Sequence, residues 1–113
     1  MVLVLCLATY FSCTKAIIDE EAPPTTPPIT ETIRYNPEVE RIMFNHCITC
    51  HGGSAPSANV DLSNYENVRF YTESGNLVSR INSTLSPMPP NGLLSSQDRE
   101  IVAKWIEDGY LEN

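Results

Sequence analysis

Two thiols and an imidazole lie within five consecutive positions and are the side chains best suited to chemistry in this sequence. They are Cys47, Cys50 and His51, in the run Cys-Ile-Thr-Cys-His. Thiols three positions apart fall on one helical turn, so both can reach the two vinyl groups of one haem. The Cys-x-x-Cys-His pattern is the attachment signature of haem c, in which the histidine ligates the iron.

Three other interpretations of this motif stay open. A disulfide between Cys47 and Cys50 would close a very small loop and stabilise little. A thioredoxin-like redox motif needs a βαβ context, and no β-alternation is visible. A structural zinc site needs four ligands, and beyond the motif only the adjacent His46 is available.

A second axial ligand is expected from a proline-rich loop far downstream. Met88 lies in the run Ser-Pro-Met-Pro-Pro-Asn-Gly, which can form neither a helix nor a central strand. The flanking prolines restrict the loop, and thioether sulfur is a common partner of histidine on haem iron. Met43 and His46 are the alternatives. Met43 is expected in the core, and His46 at the surface or the haem edge.

The first third of the chain is expected to contain an export signal followed by a linker. Residues 1–12 form an apolar run of signal-peptide length that ends in a small residue followed by Cys13, as in a bacterial lipoprotein signal. Cys13 is the expected lipidation site; the alternative is an ordinary cleaved signal. Residues 13–34 contain an acidic stretch and a Pro/Thr-rich stretch, which predict a semi-stiff linker or simply a disordered tail.

Residues 35–113 are expected to form the folded domain. This length is below the roughly 80 residues at which a hydrophobic core usually suffices, so a cofactor or other covalent constraint is expected. The formal net charge of the chain is −7, which argues against a nucleic-acid partner.

Helical periodicity predicts an all-α domain. The first helix is expected to begin at Asn36 and Pro37, and to end at Gly52-Gly53. Its inward stripe is formed by Val39, Ile42, Met43 and Cys47.

Two short helices and a longer final one are expected to follow. The short ones cover residues 61–71 and the region of Leu77–Ile81, with a break at Ser74-Gly75-Asn76. The final helix is expected over 96–108, with Ser95 as N-cap and Gly109 after its end.

The chain resembles small single-haem class I cytochrome c domains of the planctomycete type, carried in a lipoprotein. The resemblance covers about residues 37–109 and rests on these runs: Ile42-Met43-Phe44, Cys47 to Gly52, Leu62-Ser63-Asn64-Tyr65, Met88 to Gly92, Leu94-Ser95 and Ile101 to Gly109. It implies a small helical domain wrapped around one covalent haem, with His51 and Met88 as axial ligands and the first and last helices crossing beside it. The span from His51 to Met88 is short for this class, which leaves the propionate contacts open.

These features predict a non-enzymatic electron carrier that exchanges single electrons with redox proteins of the bacterial cell envelope. The expected location is the periplasmic side of a membrane, held by the lipid on Cys13; a soluble periplasmic or cell-surface location is the alternative. The alternative function is a haem c gas-binding, sensor or catalytic module with an open sixth position. Further residues could pack on the haem or bond its edge, although core or surface roles are simpler: Trp105, Arg80, Tyr65, Tyr71 and Asn91.

Overall fold

The computed structural model describes residues 27–113, in which 48% of the residues are helical and no strand occurs. The all-α prediction is confirmed for this part of the chain. The predicted signal segment 1–12, the lipidation site Cys13 and the first part of the linker lie outside the described residues. The elements are a wide helical turn at Tyr35–Val39, α1 at Glu40–His46, a 3-10 turn at Ser57–Asn59, α2 at Tyr65–Glu73, α3 at Asn76–Ile81 and α4 at Ser96–Glu107.

The first helix begins where the sequence predicts and ends earlier. Asn36 has extended backbone angles (φ −101°, ψ 120°), and Pro37 follows it as the first helical residue. The expectation that the helix continues to Gly52-Gly53 is wrong, because α1 ends at His46. The carbonyl of Met43 accepts hydrogen bonds from the main-chain N–H groups of both Cys47 and Ile48, so the regular helical ladder stops there.

The final helix follows the sequence pattern closely. Ser95 Oγ accepts a hydrogen bond from the main-chain N–H of Asp98 at 3.0 Å and donates to the Asp98 carboxylate at 2.8 Å. The helix ends at Glu107, one residue before the predicted end, and Gly109 takes a positive φ of 85°. Among residues 27–113, no helix has both the length and the apolar character needed to cross a bilayer.

The two middle helices confirm the predicted break between them. The side chain of Asn64 caps α2 by accepting a hydrogen bond from the main-chain N–H of Asn67 at 2.9 Å. Gly75 takes a φ of 79° between α2 and α3, a conformation that favours glycine. The inward faces of the two helices carry Val68, Thr72, Leu77 and Ile81.

Trp105 is fully buried and has three tyrosine rings around it. The ring centroids of Tyr35, Tyr65 and Tyr110 lie 6.0, 6.3 and 5.2 Å from that of Trp105. The indole N–H donates to the main-chain oxygen of Leu111 at 2.8 Å, so the polar atom of the ring is satisfied. Truncation of a buried aromatic of this size costs about 3–5 kcal/mol, which makes Trp105 the main packing residue of α4.

The start of the domain is joined to the segment that follows α4. The main-chain N–H of Tyr35 donates to Leu111 O at 2.8 Å, and that of Asn36 donates to Glu112 O at 3.0 Å. Ile33 is buried, and its N–H donates to the Asp108 carboxylate at 2.7 Å. Packing and hydrogen bonding therefore extend a few residues ahead of Tyr35.

Removal of the Asp108 charge should destabilise the domain in a pH-dependent way. The hydrogen bond from Lys104, and then that from the Ile33 N–H, hold the pKa of Asp108 below its ordinary value. A lowered pKa in the folded state adds stability above the ordinary Asp pKa, and this stability is lost as the pH falls through the folded-state pKa. We therefore expect Asp108→Asn to lower the urea midpoint at about pH 7 and to differ little from the parent near pH 2.5.

The matched control for this experiment is Glu107→Gln, which removes the same charge from a side chain that is 75% exposed. Urea unfolding of both variants at the two pH values checks the expectation. An equal loss of stability for Asp108→Asn at both pH values would contradict an electrostatic origin.

Candidate functional site

The five residues from Cys47 to His51 fold into two tight turns directly after α1. The main-chain N–H groups of Cys50 and His51 both donate to the carbonyl of Cys47, at 3.1 and 2.8 Å. The N–H groups of Cys47 and Ile48 are already bonded to Met43 O, at 2.9 and 3.0 Å. The segment is therefore anchored to α1, and it keeps the two sulfur atoms and the imidazole on one short piece of backbone.

The two thiols of this segment are free and differ in exposure. Cys47 is half-buried and packs against the hydrophobic core, whereas Cys50 is exposed. Burial raises the pKa of the Cys47 thiol to about 11. Cysteines used in thiol redox chemistry have lowered pKa values, so the environment of Cys47 does not favour a thioredoxin-like role.

The imidazole of His51 is held in one tautomer by a main-chain carbonyl. Its Nδ1 lies 3.1 Å from the carbonyl oxygen of Val60. A carbonyl can only accept, so Nδ1 carries a proton in this contact, and in the neutral ring Nε2 is the nitrogen with the lone pair. Metal-binding histidines commonly have this arrangement, in which an outer hydrogen bond fixes the ring while the other nitrogen binds the metal.

The loop after His51 is folded back onto the motif. Ser57 N–H donates to Cys50 O at 2.8 Å, and Leu62 N–H donates to His51 O at 2.7 Å. Leu62 is buried, so its side chain fixes the far end of this loop in the core. The two main-chain hydrogen bonds place the Val60 carbonyl beside the imidazole.

Met88 lies on a separate segment that is attached to the end of α3. Its side chain is half-buried, and its main-chain N–H donates to Arg80 O at 3.1 Å. The Arg80 guanidinium donates to Ser86 O at 3.2 Å, and Gly92 N–H donates to Pro89 O at 3.2 Å. The structure thus brings Cys47, Cys50 and His51 together, while the pairing of Met88 with His51 across one iron stays a prediction.

The alternative axial candidates have other roles. Met43 is fully buried in the core, as expected from its position on the inward stripe of α1. His46 is exposed, and its Nε2 lies 3.9 Å from a carboxylate oxygen of Asp98. An exposed pair at this distance adds little stability, so His46 reads as a surface residue.

The residues considered for contact with the haem edge are divided between core and surface. Tyr65 donates to Tyr110 O at 2.8 Å, and Tyr71 packs edge-on against the ring of Phe70 at a centroid distance of 5.2 Å. Arg80 bonds the loop before Met88, and Asn91 is exposed. The core role of Trp105 is confirmed by its complete burial.

No cluster of metal-ligating side chains in residues 27–113 supports the zinc interpretation. Within residues 27–113, no three side chains among the histidines, cysteines, aspartates and glutamates converge closely enough to hold a metal ion. Cys47, Cys50 and His51 share a short segment, but they do not converge as tetrahedral ligands must.

Two features of the site could not be identified from residue types. The Val60 carbonyl is a main-chain group, which any residue at that position would supply. Gly52 is packed against the preceding turn, since a Cβ on it would lie 2.8 Å from both Ile48 Cγ2 and Ile48 O. A Gly after the motif signals a turn, but its sequence does not reveal this contact.

No protein-family model, curated protein or solved structure matches this chain. The chemistry of the site therefore depends on its own residues. These are two free thiols and a tautomer-fixed imidazole on one turn, with a thioether on a second loop.

Substitution of Gly52 by alanine should disturb the turn that carries the thiols. The new Cβ would meet both the side chain and the carbonyl oxygen of Ile48, and overpacking of this kind costs about 1–3 kcal/mol. We expect Gly52→Ala to lower the free energy of unfolding by that amount, measured by urea denaturation.

The double variant Gly52→Ala/Ile48→Ala separates the two contacts. It removes the Cγ2 atom and leaves the carbonyl oxygen at 2.8 Å, so it should stay less stable than Ile48→Ala alone. Equal stability of these two variants would show that the main chain adjusts freely at this position.

Proposed function

We propose that this chain is a c-type cytochrome that carries one covalently attached haem and transfers single electrons. The observation that carries the proposal is the hydrogen bond that His51 Nδ1 donates to Val60 O, in a Cys-x-x-Cys-His motif whose two thiols are free. A motif alone gives residue types, whereas this contact assigns a proton to Nδ1 and so makes Nε2 the nitrogen that the neutral ring would offer to an iron.

The residues of the site fit the roles that a haem would need. Cys47 and Cys50 would carry the two thioether bonds, and His51 Nε2 would be one axial ligand. Met88 would be the other, from a loop held by its hydrogen bond to Arg80 O. The bound group would supply an iron that changes reversibly between the ferrous and ferric states.

The axial pair determines the kind of function. If His51 and Met88 both held the iron, no position would be left open to a substrate, which favours electron transfer over catalysis. Methionine with histidine also raises the reduction potential relative to other axial sets. His51 and Met88 both lie on segments that main-chain hydrogen bonds attach to the helical domain, which supports this pairing.

The cellular setting in the proposal comes from the residues ahead of the domain. Residues 1–12 and Cys13 fit an exported lipoprotein, so the domain would lie on the periplasmic side of a bacterial membrane. Its partners would be redox proteins of the cell envelope that donate and accept electrons. The acidic net charge of −7 suits partners with basic surfaces.

Covalent attachment is tested on protein purified from a host with the export and haem-attachment machinery. We expect a band that stains for haem on a denaturing gel and a mass that exceeds that of the processed, lipidated polypeptide by one haem. Cys47→Ala/Cys50→Ala should abolish both signals, because no sulfur is left to form a thioether. His46→Ala is the matched control and should keep both; a colourless parent protein would refute the proposal.

The axial role of Met88 is tested by its replacement with alanine. We expect the haem to stay attached while the reduction potential falls, because a thioether ligand stabilises ferrous iron. The methionine-to-iron charge-transfer band of the oxidised protein should disappear, and carbon monoxide should bind readily to the reduced form.

The control is Met43→Leu, which changes a fully buried methionine to a residue of similar volume. It should leave both the potential and the band unchanged. If the parent protein already lacks the band and binds carbon monoxide, the sixth position is open and a gas-binding or catalytic module becomes the better assignment.

A further inference from the structure

The loop between α3 and Met88 is held by hydrogen bonds rather than by packing. Its large apolar side chain, Leu85, is 95% exposed, and Thr84 and Ser86 are exposed as well. A segment with so few buried contacts has a low local stability. The hydrogen bonds of this loop therefore determine how firmly Met88 is placed.

Arg80, in the last turn of α3, makes three of these hydrogen bonds. Its main-chain oxygen accepts from the N–H groups of Ser83 and Met88, at 3.3 and 3.1 Å. Its guanidinium donates to the main-chain oxygen of Ser86 at 3.2 Å. The carbonyl and the guanidinium of one residue thus bind the loop both at its start and at its end.

Ser83 supplies a further hydrogen bond from inside the loop. Its Oγ accepts from the main-chain N–H of Ser86 at 3.0 Å, so the N–H of Ser86 is bonded to Ser83 and its carbonyl to Arg80. Only Pro87 separates Ser86 from Met88, and the proline ring fixes φ. The orientation of Ser86 therefore restricts the path of the main chain into Met88.

The base of the loop is also joined to α4, but more weakly. Arg99 Nη1 donates to Asn82 Oδ1 at 3.4 Å, and the Asn82 amide donates to Val78 O at 2.9 Å. A side-chain hydrogen bond as long as 3.4 Å contributes little at an exposed position. The three hydrogen bonds of Arg80 are therefore the main attachment of the loop.

We propose that Arg80 is a positioning residue for Met88, whose guanidinium and main-chain oxygen together hold the loop that carries the thioether. This role rests on the axial ligation proposed for Met88. A charged donor makes a stronger hydrogen bond to a carbonyl than a neutral one. Without the guanidinium the loop would open more often, and each opening would give an outside ligand access to the iron.

Amide hydrogen exchange on the isotope-labelled full chain, as purified and reduced, tests this role whether or not Met88 binds the iron. We expect Arg80→Gln to accelerate exchange of the Ser86 and Met88 amides by roughly three- to tenfold. The amide of His51, which is bonded to Cys47 O, should change by less than about twofold. Equal acceleration at His51 and Met88, or none at Met88, would overturn the proposal.

Arg69→Gln is the matched control for the loss of charge. Arg69 is also exposed, and its Nε donates to the Glu73 carboxylate at 2.8 Å on α2. Its replacement removes the same charge and one exposed hydrogen bond, and should leave exchange of the Met88 amide within about twofold of the parent. An acceleration as large as that of Arg80→Gln would assign the effect to charge and refute a positioning role.

A pair of serine variants tests the path through Ser86. Ser83→Ala removes the acceptor of the Ser86 N–H and should accelerate exchange of the Met88 amide. Ser79→Ala removes a hydroxyl that donates to Asn76 O at 3.0 Å within α3, and should not. If the two variants exchanged at the same rate, the hydrogen bonds of Ser86 would not hold Met88 and the proposal would fail.

Imidazole binding to the oxidised protein measures the consequence for the iron. Imidazole competes with Met88 for the sixth position, so Arg80→Gln should raise its affinity by roughly three- to tenfold, and Arg69→Gln by less than about twofold. A parent with the methionine-to-iron band and an Arg80→Gln variant of unchanged affinity would contradict the role of Arg80 alone. A parent without the band would contradict the axial role of Met88, and the exchange rates would still decide whether Arg80 holds the loop.

Discussion

The burial of Trp105 against three tyrosines is the contact on which the arrangement of the domain depends. The indole joins α4 to the first helical turn through Tyr35, to α2 through Tyr65 and to the chain after α4 through Tyr110. Its N–H bond to Leu111 O fixes the returning chain, which in turn accepts the N–H of Tyr35. The first and last helices are thereby held in contact, and α1 leads from this contact to the two cysteines.

The parts of this fold that the sequence predicts are those controlled by local chemistry. Ser95 and Asn64 cap their helices with side-chain oxygens, and Gly75 and Gly109 supply positive φ angles at the breaks. Each signal acts within about four residues, so it can be read without the tertiary structure. The inward stripe of the first helix is predictable for the same reason, since Val39, Ile42 and Met43 follow one another at helical spacing.

The features that sequence reasoning missed depend on main-chain groups or on contacts between distant segments. The early end of α1 arises because one carbonyl, that of Met43, accepts two N–H groups, and no residue type encodes this choice. The hydrogen bond that His51 Nδ1 donates to Val60 O is also independent of the side chain at position 60. The candidate site residues can be proposed from the sequence because the chemistry of haem attachment needs particular side chains.

The hydrogen bonds that join Ile33 and Tyr35 to the residues after α4 have a mechanical consequence. Ile33 and Tyr35 are bonded to Asp108 and Leu111, beyond the carboxyl end of α4, while His46 lies beside Asp98 in its first turn. A helix of this length is about 18 Å long, so the two attachments are near opposite ends of it. A pulling force on the residues before Ile33 would first load the hydrogen bonds at the carboxyl end. The turn that carries the cysteines lies near the other end of α4, so these hydrogen bonds would bear the force before it does.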